Sequence, residues 1–387
     1  MKGGLRAVHP NLRKTVITKL ALAVGAVLEA QTPNTVDLAN VLPLETERQD
    51  MREPWLRRLL KNPLLSSAAV LEPWARQALA AACQQGEMIL LSLDQTDLGN
   101  RFAILMISLG VGHRALPLAW AVEAGPVNLG FTTQQALLER VRAWLPAGAE
   151  VLLCADRFYP SVDLCQWLAA QPGWHYRLRL KGNLNVDPGF GDLLTTGALA
   201  QGHSERYLSN VWLFNEGVPT HRAIWHEAGH PEPWIIAMND PPNRTTVQDY
   251  ACRWGIEPMF SDVKSRGFQW EDSQLRAADR LDRLLLIMAL AMYWCVRVGQ
   301  EEARDHPTPL EKNSRANGSR SLELQKAGPQ CRFLVQARSA RTGKATSNAT
   351  SLTALLSDLP HDEELIGGKP RCPRISGPVV LYLTQGV

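Results

Sequence analysis

Apolar residues recur at helical spacing in Val16–Leu28 and again in Leu65–Cys83, so the first 86 residues read as helical. Between them, Asn34–Leu42 and the basic run Arg52-Glu-Pro-Trp-Leu-Arg-Arg-Leu-Leu-Lys61 could be the short helices of a helix-turn-helix, which makes this region a candidate for DNA-end binding. From Met88 the period shortens to that of strands: Met88–Leu93, Phe102–Leu109 and Arg114–Val122, with a turn at Gly110–His113. A helix is expected over Thr132–Trp144, opened by a Thr-Thr cap and closed by Leu-Pro-Ala-Gly. An apolar strand, Glu150–Ala155, a helix, Ser161–Ala170, and a strand, His175–Leu180, come next.

Three strands, then helix, strand, helix, strand, is the α/β order of a ribonuclease-H-like core that still lacks its last helix. The segment from Tyr250 can supply it. Before it, Arg206–Phe214, Thr220–His226 and Trp234–Ala237 cluster or alternate apolar residues between Asn-Glu-Gly and Gly-His-Pro turns, which predicts a β-rich insertion. The expected organisation is therefore a helical region over 1–86, core over 87–183, β-rich insertion over 184–242, and core again over 243–299. Residues 300–387 turn rich in Ser, Arg, Gly, Thr and Pro with little periodicity, and much of this tail is expected to be irregular or disordered.

Composition narrows the class. With 387 residues, 45% of them hydrophobic and 20% charged, the chain can bury the cores of two or three folding units. A formal charge of +3 is only mildly basic, so nucleic-acid binding would rest on local patches. Seven cysteines without a Cys-x-x-Cys pair favour free thiols in a reducing cytoplasm. No secretory signal is evident. The most apolar stretch, Leu284–Cys295, is too short to span a bilayer and reads as a core helix, so no membrane is expected.

The chemistry concentrates in Tyr250–Lys264. On an α-helix, Arg253, Glu257 and Lys264 fall within roughly 60° of the direction of Tyr250, giving one face a phenol, a guanidinium, a carboxylate and an ammonium. Taken alone, this is also what a solvated salt-bridge ladder looks like. Two acids change the balance: Asp94 ends the first strand and Asp156 ends the fourth. In a ribonuclease-H-like sheet these strands are parallel neighbours, so both carboxylates emerge where α/β proteins place their chemistry. Glu257 can close the triangle. Three converging carboxylates repel unless cations intervene, and oxygen-only ligands suit Mg²⁺ or Mn²⁺. Two such ions can activate a water or 3′-hydroxyl for in-line phosphoryl transfer.

Asp94, Asp156 and Glu257 resemble the DDE triad of bacterial insertion-sequence transposases. Tyr250-x2-Arg253-x3-Glu257-x6-Lys264 matches without a gap the YREK signature of the insertion-sequence-four family, and Ser265-Arg-Gly-Phe268 also fits it. The resemblance covers residues 40 to 300. It implies a cut-and-paste DNA transposase with a β-strand insertion, two catalytic metal ions (Mg²⁺ or Mn²⁺), and a homodimer that brings together the transposon's terminal inverted repeats and target DNA. A bacterial, cytoplasmic and nucleoid-associated location goes with it. By the same resemblance Tyr250, Arg253 and Lys264 would contact DNA phosphates near the cleaved end. Some members of the family stack a flipped base on a tryptophan of the insertion; Trp212, Trp225 and Trp234 are the candidates, and Trp225 is chosen. Pro258 lacks the amide that would bond the carbonyl of Trp254, so it should kink the helix or mark a fresh helical turn.

Other readings compete. His226-Glu227-Ala-Gly-His230 matches the zinc-protease pattern, in which two histidines one helical turn apart hold the metal. Gly229 and Pro231 break a helix where the second ligand is needed, so the match reads as chance. A DNA-binding protein with a vestigial triad would keep end binding without cleavage. A phosphatase of the haloacid-dehalogenase type is suggested by Asp94-Gln-Thr96, but its second aspartate is absent.

Overall fold

Among the described residues five helices precede the first strand: α1 (Lys2–Val8), α2 (Lys14–Ala30), α3 (Thr35–Val41), α4 (Gln49–Leu60) and α5 (Ser67–Ala82). The structure is a computed structural model that describes residues 2–44, 49–84, 87–112, 114–189, 192–227 and 230–305. The expected tail falls almost wholly outside them. The described residues divide into two compact units, one within Leu71–Phe260 and a second drawn from residues 2–70 and 261–305.

In the second unit α2 buries Ile17, Leu20, Val24 and Val27 almost completely. Gln31, in a left-handed conformation, ends α2, and the Asn34 side chain caps α3 by accepting from the Val36 amide at 2.9 Å. The two helices bend by 101° across that break. The expected pair of short helices, Asn34–Leu42 and the basic run, corresponds to α3 and α4, and part of the segment between them, 45–48, lies outside the described residues. The basic run is also partly engaged within the unit. Arg52 donates to the carbonyls of Asn40 (2.9 Å), Leu44 (3.2 Å) and Ala39 (3.4 Å), where it caps the end of α3. Arg57 pairs with Glu53 at 2.7 Å.

The other unit is built on one sheet of ten strands. β1 (Ile89–Leu98), β2 (Phe102–Val111) and β3 (Arg114–Ala124) form an antiparallel meander, and α6 (Phe131–Trp144) leads to β4 (Val151–Ala155), parallel to β1. After α7 (Val162–Ala169) comes β5 (Trp174–Arg179), parallel to β4. The Ser161 hydroxyl caps α7 by accepting from the Leu164 amide. β4 is buried at every residue, as a strand covered on both faces must be.

The chain from 184 to 242 does not form a sheet of its own. It contains β6 (Asn185–Asp187), β7 (Leu194–Thr195), a short α8 (Thr196–Ala200), β8 (Glu205–Leu213), β9 (Val218–Trp225) and β10 (Trp234–Met238). These strands continue the sheet beyond β5, in the order β3-β2-β1-β4-β5-β10-β9-β8-β6-β7. The mixed α/β fold is that of a ribonuclease-H-like core with helices before it.

A run of helical turns follows β10. α9 (Arg244–Gln248) begins with a capping box between Asn243 and Thr246, gives way to a 3₁₀ segment, Asp249–Gly255, and continues as α10 (Ile256–Ser261). In the other unit come a π-helical turn, Asp262–Arg266, and the long α11 (Ala278–Asp305). Arg283 of α11 donates to the carbonyls of Leu60 (2.9 Å) and Leu65 (3.3 Å), and Ser67 donates to Asp282 at 2.6 Å. No single helix among the described residues is long and apolar enough to cross a membrane.

Candidate active site

The parallel ladder between β1 and β4 ends with Leu93 opposite Ala155. Asp94 and Asp156 are the next residue on each strand, so two carboxylates stand side by side at the carboxyl end of neighbouring parallel strands. The expectation that Asp94 ends its strand is corrected here. β1 runs on to Leu98 because its far half still pairs with β2, Asp94 lying opposite Met106. What ends at Asp94 is the parallel partner, and that opens the position to chemistry.

Asp94 is held from three directions. Oδ1 accepts from the Gln95 amide (2.9 Å) and from the Tyr159 hydroxyl (3.3 Å), and Oδ2 accepts from Arg253 Nη1 (3.0 Å). Burial pushes its pKa above the ordinary carboxylate value and Asp156 pushes the same way, against the pull of Arg253, Gln95 and Tyr159. Asp156 Oδ1 accepts from the amide of Arg157 at 2.6 Å.

The segment expected to be one α-helix is not uniform. Its first part is a 3₁₀ helix, in which residues three apart eclipse one another, and this sets Tyr250 and Arg253 on one side. The α-helical turn starts afresh at Ile256, which places Pro258 in the first turn, where its missing amide costs no helical bond. Four residues beyond Arg253, Glu257 accepts from Arg253 Nη2 at 2.5 Å. The fresh start therefore keeps Arg253 and Glu257 together.

Arg253 is the hub. Its side chain is only 7% exposed and forks between Asp94 and Glu257, and its Nε is buried without a hydrogen-bond partner. Burial opposes the charge, but Tyr250, Asp94, Glu257 and Asp156 more than offset this, so the guanidinium stays protonated with a pKa above its usual value.

Glu257 is half exposed and turned to Arg253. Among the described residues no group of three or more His, Cys, Asp and Glu is gathered as a metal site. The structure brings together the aspartate pair and, linked to it through Arg253, the glutamate. The pair itself suits a hard divalent cation: its donors are all oxygen, and the raised pKa of Asp94 marks a negative charge short of compensation.

Tyr250 departs from its expected role at the DNA. It is 1% exposed, packed with Ala223, Ile236, Met238 and Val247, and meets the Trp234 ring edge-on at 5.2 Å. Burial pushes its pKa up to about 12, so it is a neutral packing residue here and offers no open contact to a phosphate. Trp225 is partly buried, with the Arg244 guanidinium 4.7 Å from its ring centre, so the ring is covered instead of open. Lys264 lies on the π-helical turn of the other unit.

Two features escaped the sequence reading. Trp254, 46% exposed, stands next to Arg253 with its ring 5.5 Å from that of Trp234. The 3₁₀ turn gives the signal, since the residue after an inward-facing Arg253 must point elsewhere. The second is Arg177 of β5, buried and fully engaged: it donates to Asp240 (2.7 Å), Asp249 (3.0 Å) and the carbonyls of Thr246 (2.7 Å) and Tyr176 (2.9 Å). It fastens the start of the 3₁₀ segment to the sheet and so positions Arg253. Nothing in the local pattern around Arg177 distinguishes it from a surface cation.

The zinc-protease pattern does not form a helical pair of ligands. β9 ends at Trp225, and His226 Nε2 lies 2.8 Å from the carbonyl oxygen of His230; residues 228 and 229 are outside those described.

No curated protein matches the chain significantly. A family model described as a transposase DDE domain matches residues 94–294, beginning at Asp94 itself and taking in Asp156, Arg253 and Glu257. That match spans more than half of the sequence, and with the paired aspartates at the sheet's edge it makes the chain a member of the DDE transposase family.

Proposed function

We propose that this transposase cuts and joins DNA strands by metal-dependent phosphoryl transfer in cut-and-paste transposition, as a member of the YREK subgroup of the insertion-sequence-four family. The observation that carries the reading is the side-by-side placement of Asp94 and Asp156, with Arg253 linking Asp94 to Glu257. Asp94 and Asp156 would hold the divalent cation, with Glu257 supplying the third carboxylate of a two-ion site filled by Mg²⁺ or Mn²⁺. Such ions lower the pKa of an attacking water or 3′-hydroxyl and neutralise the leaving oxygen.

The chain's own groups do the rest. Tyr159 and the Gln95 amide fix the Asp94 carboxylate from one side, and Arg253 fixes it from the other. The buried guanidinium also keeps positive charge beside the position of a reacting phosphate, where low dielectric strengthens it. Lys264 is proposed as a phosphate contact. Trp254, exposed beside Arg253, is a better candidate than Trp225 for stacking an unpaired base. A homodimer acting on terminal inverted repeats and target DNA, in the bacterial cytoplasm, completes the reading.

The test is cleavage of a duplex carrying the element's own terminal repeats, with Mg²⁺ present. Asp94→Asn, Asp156→Asn and Glu257→Gln should each lower cleavage by about a hundredfold or more while binding of the same duplex persists. Intact cutting by all three variants would sink the assignment. Binding without cleavage in the wild type would mark a vestigial triad.

A further inference from the structure

Beside Asp156, the carboxyl ends of β4 and β5 present three cations: Arg157 two residues past β4, Arg179 at the end of β5, and Lys181 two residues on. They line a cleft of about 820 Å³ whose far wall carries His203 and His226. A single acid faces them. Glu232 Oε2 accepts from Arg157 Nη1 at 3.0 Å and from Arg179 Nη2 at 3.4 Å, although Glu232 itself is 59% exposed. One anionic oxygen shared by two guanidiniums is the arrangement a phosphate oxygen takes between two arginines. Phe158 adds an aromatic face: it is 70% exposed, with Lys181 Nζ 4.9 Å from its ring centre. Cations interleaved with an exposed ring suit a nucleic-acid strand, whose bases stack while its phosphates pair.

We infer that Arg157 and Arg179 bind a backbone phosphate of the DNA strand next to the reacting bond, and that the Glu232 carboxylate stands in for that phosphate until DNA displaces it. This rests on the proposed DNA chemistry and adds a subsite to it. Arg157, which lines the cleft, is the residue after Asp156, which puts the cleft next in the chain to the aspartate pair. An exposed ion pair holds Glu232 weakly, which makes exchange for a phosphate feasible. Glu232 therefore acts as an internal competitor that lowers affinity for DNA.

The probe is a fluorescein-labelled duplex of arbitrary sequence, titrated with the full chain by anisotropy across a range of NaCl concentrations. Glu232→Gln should tighten binding by about three- to tenfold, because it removes the competing charge and leaves both arginines in place. Arg157→Ala and Arg179→Ala should each weaken it by a similar factor and reduce the salt slope by about one. Thermal melts of each variant show that it is folded. Weaker or unchanged binding by folded Glu232→Gln overturns the inference, since Glu232 would then be a brace for the arginines. Unchanged affinity and salt slope in both arginine variants overturns it as well. Wild-type protein that binds no DNA at all defeats the proposed function too, and this outcome is distinct from a neutral Glu232→Gln in a protein that binds.

Discussion

Arg253 Nη1 donates to Asp94 Oδ2 at 3.0 Å across 159 residues of chain, and the same guanidinium reaches Glu257. Arg253 thus lies inside the acidic site as the charge that favours ionisation of a buried aspartate. The Asp94 contact is the stronger of the two, since both partners are largely buried, whereas Glu257 is half exposed and screened by solvent.

Replacing Arg253 separates charge from geometry. Arg253→Lys keeps the charge but cannot fork between two carboxylates, and cleavage should fall by about a hundredfold with a stability loss of about 1–3 kcal/mol. Arg253→Met leaves Asp94 buried without its cation and should cost about 3–5 kcal/mol in denaturant unfolding. Equal stability of the methionine variant and the wild type would contradict the hub role.

The raised pKa of Asp94 makes stability depend on pH and on cations. Its folded value lies above its unfolded one, so its contribution is fully present below the ordinary 3.8 and is lost as pH rises through the folded value. Asp94→Asn should therefore melt higher than the wild type near neutral pH, with the gap closing as pH falls toward 3.8. Mg²⁺ or Mn²⁺ should raise the melting temperature of the wild type and do less for Asp94→Asn or Asp156→Asn. A gap that widens in acid, or an equal cation effect on all three proteins, counts against this account.

Arg177 is expected to be a positioning residue. Arg177→Met leaves Asp249 without its arginine and Asp240 with His175 alone, and should destabilise the protein by about 1–3 kcal/mol. Arg177→Lys keeps one pairing and should recover part of the stability, while cleavage recovers less because the 3₁₀ segment is held less rigidly. Measuring unfolding and cleavage on the same preparations distinguishes the two roles, and parallel losses in both would make Arg177 merely structural.

Gly255 seats the 3₁₀ helix on the sheet. A Cβ there would lie 2.9 Å from the backbone carbonyl oxygen of Arg114, which cannot move aside as a side chain can. Gly255→Ala should cost about 1–3 kcal/mol and shift Arg253, lowering cleavage. An alanine variant with wild-type melting and activity would show that the close approach is not required.

Much of the core was legible in the chain because it is written locally. The period of Phe102–Leu109 and the apolar run ending at Ala155 yielded β2 and β4 nearly to the residue, since side-chain alternation and burial act within one strand. The aspartates were found the same way, as acids where apolar runs stop. The limits of β1 were not, because pairing with β2 carries it past Asp94 after β4 has ended. Tyr250 looked like part of an open polar face, but β9 and β10 cover it, and no helical spacing reveals which face a distant strand will pack against.

The sequence by itself determined the order of the core elements and marked Pro258 as a break or fresh start, because backbone preference and hydrophobic period are short-range. Only the tertiary structure decided that Arg253 faces Asp94, that Arg177 reaches Asp249 across 72 residues, and that Glu232 sits between Arg157 and Arg179. Those pairings depend on which strands become neighbours, a property of the whole sheet that no local segment encodes.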